Sequence, residues 1–141
     1  RPEGFVVVLD YNHTLNAWEP APPREFAQFY AAFLGWRTSN GWDNDIANHC
    51  PALFKEAGLL EIRSSSQDET TVEGHDDFLE KTALWAQVID NLGPALQHAG
   101  VCSTEQLESA RRSYDSWRRS DLRRQTLSMK ATVAKVPRWR R

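Results

Sequence analysis

The sequence predicts an α/β fold in which three strands with flanking helices form one thin sheet. Phe5–Leu9 is an unbroken run of apolar residues, typical of a strand covered on both faces in a parallel sheet. Later segments repeat apolar residues at helical spacing, and two more strand-like segments follow. The predicted order is strand, two helices, strand, two helices, strand. Because three strands make a small sheet and the first strand is expected to have neighbours on both sides, we expect the sequence to enter its fold midway.

The first helix follows a proline-rich connection that is suited to the first turn of a helix. Asp43 or Asn44 is expected to cap a second short helix, which Pro51 interrupts and restarts. Gly58 is placed just past the end of that helix, and Leu59–Ser64 is the second predicted strand. The apolar face of the first helix consists of Phe26, Phe29, Tyr30, Phe33 and Leu34.

Two longer helices complete the prediction. The first spans about 76–98 and is expected to bend or break at Gly93-Pro94. The second is a basic helix over 103–128 that begins with a capping box, in which Ser103 is followed three residues later by Gln106. Residues 129–136 alternate as the third strand, and residues 137–141 are expected to fray.

Charge is distributed unevenly along the chain. Residues 1–110 contain six basic and seventeen acidic residues, whereas residues 111–141 contain eleven basic and two acidic ones. This asymmetry indicates either a tail that binds nucleic acid or a membrane surface, or a basic helix packed on an acidic body. Trp117 lies among three arginine pairs, which would contact phosphates or form a solvated helix face. The pairs are Arg111–Arg112, Arg118–Arg119 and Arg123–Arg124.

Composition favours a cytoplasmic protein with no membrane partner. There is no apolar run of about 18 residues and no signal-peptide pattern at the start. Cys50 and Cys102 are too few for a disulfide framework and show no metal-ligand spacing, so a reducing compartment and no metal site are expected.

Three segments resemble class I S-adenosylmethionine-dependent methyltransferases. Residues 1–10, Arg-Pro-Glu-Gly-Phe-Val-Val-Val-Leu-Asp, resemble the glycine-containing turn that leads into the family's fifth strand. Residues 50–59 resemble the helix ending in alanine, glycine and leucine before the sixth strand, and residues 129–135 resemble the closing seventh strand. Residues 1–141 thus resemble the carboxyl-terminal part of a single methyltransferase domain, and the likeness is greatest to the ubiquinone-biosynthesis-like branch that modifies small molecules.

The resemblance implies the carboxyl-terminal half of a Rossmann-like sheet, three strands with flanking helices, which is incomplete without the amino-terminal cofactor-binding half. It also implies an enzyme that transfers the methyl group of S-adenosylmethionine to a small-molecule acceptor. The family's glycine-rich cofactor loop and its ribose-binding acidic residue belong to the preceding half, and neither is found in this sequence. We therefore expect no cofactor-binding residue in this chain and no activity of the chain alone. The expected partner is the missing amino-terminal half or a second copy. Glu3 stands where the family usually has glycine.

Residues 10–13 follow the first predicted strand, at the edge where ligands of open α/β sheets bind. His13 is a candidate general base and Asp10 a candidate partner that orients it. Alternatively, His13 caps a turn or faces solvent, and Asp10 caps the turn. Tyr11 and Asn12 are candidates for binding the acceptor.

An aromatic group with one cation is the second candidate for the acceptor pocket, because such pockets combine apolar walls with few polar groups. The alternative is that these residues pack the first helix on the sheet. The group consists of Trp18, Tyr30, Trp36 and Arg37, with Trp42 nearby. Asp43, Asn44 and Asp45 are interpreted as helix caps, with metal ligation as the less favoured alternative. His49, His75 and His98 show no metal-ligand spacing and are interpreted as surface residues.

Two functions from different classes remain open from the sequence. The first is the acceptor-side portion of a small-molecule methyltransferase. The second is a non-enzymatic module that binds nucleic acid or an acidic partner through its basic carboxyl-terminal helix, and only the charge asymmetry supports it. In the first case, the unpaired edge of strand Phe5–Leu9 predicts association with another chain or a second copy.

Overall fold

The computed structural model describes residues 3–138 and has a mixed α/β architecture. Arg1 and Pro2 of the opening motif, and residues 139–141 of the predicted frayed tail, lie outside the described residues. In chain order the elements are β1 (Phe5–Tyr11), a 3₁₀ helix (His13–Leu15), β2 (Ala17–Glu19), α1 (Arg24–Ser39), α2 (Ile46–Glu56), β3 (Leu60–Ser66), β4 (Glu69–Val72), α3 (Phe78–Thr82), α4 (Leu84–His98), α5 (Thr104–Ser120), β5 (Arg124–Leu127) and β6 (Met129–Lys135).

The chain divides into two compact units. The first contains the described residues of Arg1–Asn16, Asp43–Glu69 and Leu127–Arg141, and the second contains Ala17–Trp42 and Thr70–Thr126. The first unit therefore consists of three segments that are far apart in sequence. No helix within residues 3–138 has both the length and the apolar character needed to cross a membrane.

The sheet of the first unit has the order β1-β6-β3, and β6 is antiparallel to both of its neighbours. Helix α2 packs on one face, where Cys50 and Phe54 contact a core around Ala134 that includes Val6 and Val8. The prediction of a strand at Phe5–Leu9 is confirmed, and so is the strand at residues 129–136 to within one residue.

The prediction that Phe5–Leu9 is covered on both faces in a parallel sheet is wrong. β1 pairs antiparallel with β6, and its side chains alternate between the face under α2 and an open face. Phe5, Val7 and Leu9 are 67%, 63% and 55% exposed on that open face. Helix α2 of the first unit packs on this sheet, and it covers one face. An unbroken apolar run therefore does not show that both faces of a strand are covered.

Helix α2 differs from the prediction in how it starts. It runs without interruption through Pro51, and the residue at its amino-terminal cap is Asp45, whose side chain makes no capping hydrogen bond. Asp43 Oδ1 instead accepts a hydrogen bond from the Asp45 N–H at 2.8 Å, which forms a local turn. Gly58 follows the helix with φ +76°, as predicted, because this left-handed conformation favours glycine.

The second unit contains a sheet that the sequence analysis missed. Its order is β2-β5-β4, so the described residues contain six strands and not three. β2, β4 and β5 have only three or four residues each and lack a clear apolar alternation. Tertiary pairing fixes such short strands, and local propensity does not.

The helices of the second unit follow the predicted apolar faces. Phe26, Phe29 and Phe33 of α1 are buried, as predicted. The helix predicted over 76–98 is divided into α3 and α4 near Thr82, whose hydroxyl donates to Phe78 O at 2.7 Å. Pro94 lies inside α4 and does not end it.

Helix α5 begins with the predicted capping box, and both of its hydrogen bonds are present. The helix ends at Ser120, eight residues before the end of the predicted range 103–128. Gln125 and Leu127 are both buried, and this spacing of two belongs to strand β5.

Candidate functional site

The polar residues at the carboxyl end of β1 lie together in the first unit. The rings of Tyr11 and His13 stack, with their centroids 5.6 Å apart and an angle of 16° between their planes. Asn12 lies between them in the chain and is fully buried, and its backbone N–H donates to Ser128 O at 2.8 Å. The strand therefore ends in a short segment with one buried amide and two stacked rings.

Among the described residues, the side-chain amide of Asn12 is hydrogen-bonded through its oxygen but not through its nitrogen. Its Oδ1 accepts a hydrogen bond from the Asn48 N–H at 2.9 Å, which fixes the orientation of the amide. Its buried Nδ2 has no hydrogen-bond partner within residues 3–138. An unpaired buried donor costs about 1–3 kcal/mol, and because Asn12 is fully buried this end of the amide does not face solvent.

A second segment, the loop between α1 and α2, closes over the turn after β1. The His13 N–H donates to Asn44 O at 2.7 Å, and the hydroxyl of Thr14 donates to Asp45 Oδ1. These bonds join residues about thirty positions apart in the sequence. They bring the candidate residues after β1 next to the start of α2.

The start of α2 carries a histidine–aspartate pair. His49 Nδ1 lies 2.5 Å from Asp43 Oδ2, and 59% of the His49 side chain is exposed. The hydrogen bond with Asp43 and its negative charge raise the pKa of His49, and the charge of Asp45 adds to this. The pair combines a carboxylate-oriented imidazole with access from solvent, as a general base requires.

The sequence analysis missed this pair. His49 was interpreted as a surface residue and Asp43 as a helix cap, and His49 is exposed but paired. The two residues are six positions apart, with a turn and the first part of a helix between them. No local pattern indicates such a contact, which depends on the hydrogen-bonded turn at Asp43–Asp45.

Asp10 contacts the backbone of the next residue. Its carboxylate accepts a hydrogen bond from the Tyr11 N–H at 2.7 Å. The role of Asp10 in orienting His13 stays a prediction.

Trp18 and Tyr30, the first two members of the predicted aromatic pocket, lie in the second unit. Their rings pack edge to face at 5.1 Å, and Trp18 also contacts Trp85 at 5.9 Å. Trp18 Nε1 donates to Gln125 Oε1 at 3.0 Å, and Trp85 and Gln125 are buried. These contacts favour the alternative that Trp18 and Tyr30 pack the core of this unit.

Trp36 and Arg37 lie at the end of α1, also in the second unit. Trp36 and Trp42 pack edge to face at 5.3 Å, and the Arg37 guanidinium lies 5.4 Å from the Trp42 ring centroid and 5.7 Å from that of Phe33. The earlier candidates thus fall into two groups, residues 10–13 in the first unit and Trp18, Tyr30, Trp36 and Arg37 in the second. That both groups line one rim stays a prediction.

All six arginines of the three pairs have carboxylate partners. Burial acts to raise the pKa of Asp115, but the hydrogen bonds and charges of Arg118 and Arg119 outweigh it and lower that pKa. Arg118 is buried and also donates to Leu79 O at 3.0 Å. The ion pairs are Arg111 with Asp90 and Asp115, Arg112 with Glu108, Arg118 and Arg119 with Asp115, Arg123 with Glu73, and Arg124 with Glu19.

β1 leads through Asn12 into a 3₁₀ helix that contains no glycine. Within residues 3–138, no group of three or more His, Cys, Asp or Glu side chains is arranged to hold a metal ion. That this chain holds no cofactor-binding residue stays a prediction.

Comparison with known proteins identifies no family. No protein-family model matches the chain, and no curated protein sequence matches it significantly. Function is therefore argued from the fold and the site geometry.

Proposed function

We propose that this chain is the acceptor-side portion of a class I S-adenosylmethionine-dependent methyltransferase that acts on a small molecule. The observation that carries the proposal is that the three segments with family resemblance come together in one unit, in whose sheet β6 lies between β1 and β3. The three segments with family resemblance fall on β1, on α2 before β3, and on β6.

The backbone at Glu3 gives further support. The resemblance places a glycine at this position, and Glu3 has φ +66°, the left-handed conformation that glycine adopts without strain. Glu3 therefore occupies a backbone position suited to the residue that the family usually has there.

In this proposal the chain's own residues bind the acceptor and accept its proton. Direct methyl transfer mainly requires alignment of the acceptor atom, so a single base is enough for an acceptor that carries a proton. Asp43 holds His49 through Nδ1, which leaves Nε2 to accept that proton. His49 is therefore a better supported base than His13, whose ring stacks on Tyr11.

The stacked rings of Tyr11 and His13 supply the binding contacts at the same end of β1. Asn12 lies between them in the chain and is fully buried, and its amide is held by Asn48, so it positions the two rings and does not itself contact the acceptor. The proposed acceptor is a small molecule with a flat apolar part, which suits contact with aromatic rings.

The partner in this proposal is the cofactor-binding half or a second copy of the chain. β1 is the edge strand of its sheet, and three of its apolar side chains are exposed on the open face. An apolar edge with unpaired backbone groups favours pairing with a further strand. The nucleic-acid alternative is weaker, because all six arginines that suggested it already have carboxylate partners.

The test is methyl transfer by the protein encoded by the complete reading frame that contains this sequence. It would be incubated with S-adenosylmethionine labelled in the methyl group and a panel of small phenols and hydroxy acids, and label in extracted products would be counted. We expect acceptor-dependent labelling that falls about 100-fold or more in His49→Gln. The matched control His98→Gln changes an exposed histidine on α4 and should retain activity. Absence of labelling with every acceptor would contradict the proposal.

A further inference from the structure

The second unit contains a cavity that is separate from the site described above. Its volume is about 200 Å³, and it lies between the amino-terminal half of α1 and the start of α5. Phe29 and Ala32 of α1 line it, together with Val101 and Cys102 of the loop before α5. Phe29 and Cys102 are almost fully buried, so the apolar part of the cavity is continuous with the core of this unit.

Two carboxylates from different helices face the same cavity. Glu25 lies in the first turn of α1 and Glu105 in the first turn of α5, and both line the cavity. No basic residue lines it, and neither carboxylate has an ion-pair partner among residues 3–138. Both side chains are also exposed to solvent, so the cavity combines apolar walls with two carboxylates at its solvent-facing side.

The helix dipoles explain only part of this arrangement. Acidic residues are favoured in the first turn of any helix, which accounts for Glu25 and Glu105 one at a time. It does not account for the two carboxylates sharing one apolar cavity. Gln28, Gln106 and Ser109 add neutral polar groups to the lining.

We infer that this cavity binds a small organic cation, in which an apolar ring or short chain carries an ammonium group. An apolar cavity of about 150 Å³ accommodates benzene, so the volume here suits a ring of that size with a short substituent. The ring would lie against Phe29 and Ala32, and the ammonium group would lie between Glu25 and Glu105. Charge complementarity selects a cation over a neutral or anionic ligand of the same shape.

The thiol at the cavity belongs to the apolar wall. Burial raises the pKa of Cys102, so its thiol stays protonated at neutral pH and is a poor nucleophile. The proposed ligand is therefore held by packing and charge without a covalent bond.

The test is an NMR titration of the 141-residue chain with benzylammonium and, separately, with benzyl alcohol, a neutral molecule of similar shape. We expect benzylammonium to shift the amide signals of Val101 and Cys102 and to bind roughly fivefold more tightly than the alcohol. In the double variant Glu25→Gln/Glu105→Gln the two molecules should bind equally. The control Glu80→Gln removes an exposed carboxylate of α3 that does not line the cavity, and it should retain the preference.

A second variant tests the cavity itself. Ala32→Leu keeps both carboxylates but adds side-chain volume at the wall, so both molecules should bind more weakly. Preserved dispersion of the remaining amide signals would show that each variant is folded. Equal binding of benzylammonium and benzyl alcohol by the unmodified chain, or no shift of Val101 and Cys102 with either at millimolar concentration, would overturn the inference.

Discussion

His49 Nδ1 lies 2.5 Å from Asp43 Oδ2, and this bond joins the second turn of α2 to the loop that precedes it. The same loop receives hydrogen bonds from His13 and Thr14 after β1. The pair is therefore built into the contact between the end of β1 and the start of α2. The protonation of His49 therefore takes place beside the proposed acceptor site.

Replacing Asp43 by asparagine is expected to lower the pKa of His49. The substitution removes the charge that raises this pKa and weakens the hydrogen bond, and the smaller effect of Asp45 remains. Titration of the His49 ring signals by NMR measures the change directly. The control Asp76→Asn removes an exposed carboxylate elsewhere and should leave this pKa unaltered. An identical His49 titration in Asp43→Asn would contradict the assignment of the pair.

The sign of the linked pH dependence follows from the raised pKa. His49 binds its proton more tightly in the folded state, so the pair stabilises the fold below the unfolded pKa of 6.5. This contribution is lost as pH rises through the folded pKa. Because both side chains are substantially exposed, the effect on unfolding is small. The difference in the free energy of unfolding between pH 5 and pH 9, measured by chemical denaturation, should favour pH 5 less in Asp43→Asn than in the unmodified chain.

Replacing Tyr114 by phenylalanine is expected to destabilise the second unit. The Tyr114 side chain is fully buried and its hydroxyl lies 2.8 Å from Thr82 O and 3.3 Å from Gln125 Oε1. Burial raises the pKa of Tyr114, so the hydroxyl is a donor at every ordinary pH. The variant leaves a buried carbonyl without this donor and should lower the free energy of unfolding by about 1–3 kcal/mol in urea denaturation.

The control for Tyr114 is Tyr11→Phe, which removes a hydroxyl from a half-buried ring in the first unit. It should change the free energy of unfolding by less than about 0.5 kcal/mol. Equal stability of Tyr114→Phe and the unmodified chain would show that the buried network is not formed.

The open face of β1 predicts association of the chain. Phe5, Val7 and Leu9 form an exposed apolar row on an edge strand, and one such patch can pair with itself across a two-fold axis. Sedimentation equilibrium at tens of micromolar should detect dimers, and Val7→Lys should shift them to monomers. The control Leu53→Lys changes an exposed leucine of α2 on the other side of the sheet. A stable monomer of the unmodified chain would contradict this prediction.

The ion-paired arginines predict weak binding to nucleic acid. A protein that neutralises many phosphates loses affinity steeply as salt rises, because it releases counterions. Arg118 is buried, and the other five arginines of the three pairs already contact carboxylates, so we expect only weak RNA binding at low salt. Tight binding with a steep salt dependence in a fluorescence titration would support the non-enzymatic alternative instead.

Elements with strong local signals could be predicted from the sequence. The buried face of α1 follows from the helical spacing of Phe26, Phe29 and Phe33, and the start of α5 follows from the capping box at Ser103. Gly58 likewise marked the end of α2. In each case, the feature of the helix depends on residues within one or two helical turns of one another.

Features that depend on distant contacts could not be predicted in this way. The antiparallel direction of β1 depends on β6, which is more than a hundred residues away, and β5 is fixed by pairing with β2. The same holds for the site. The sequence placed residues 10–13 at the carboxyl end of β1, although Asp10 and Tyr11 belong to the strand itself. The His49–Asp43 pair and the unpaired Nδ2 of Asn12 depend on how two segments meet in three dimensions.

The measurement that tests the central claim most directly is calorimetric titration with S-adenosylmethionine. The claim is that this chain supplies the acceptor side and that a separate glycine-rich half supplies the cofactor side. The account predicts no saturable binding by the 141-residue chain and a micromolar dissociation constant for the protein encoded by the complete reading frame. A micromolar dissociation constant for the chain alone, or no binding by the complete protein, would contradict it.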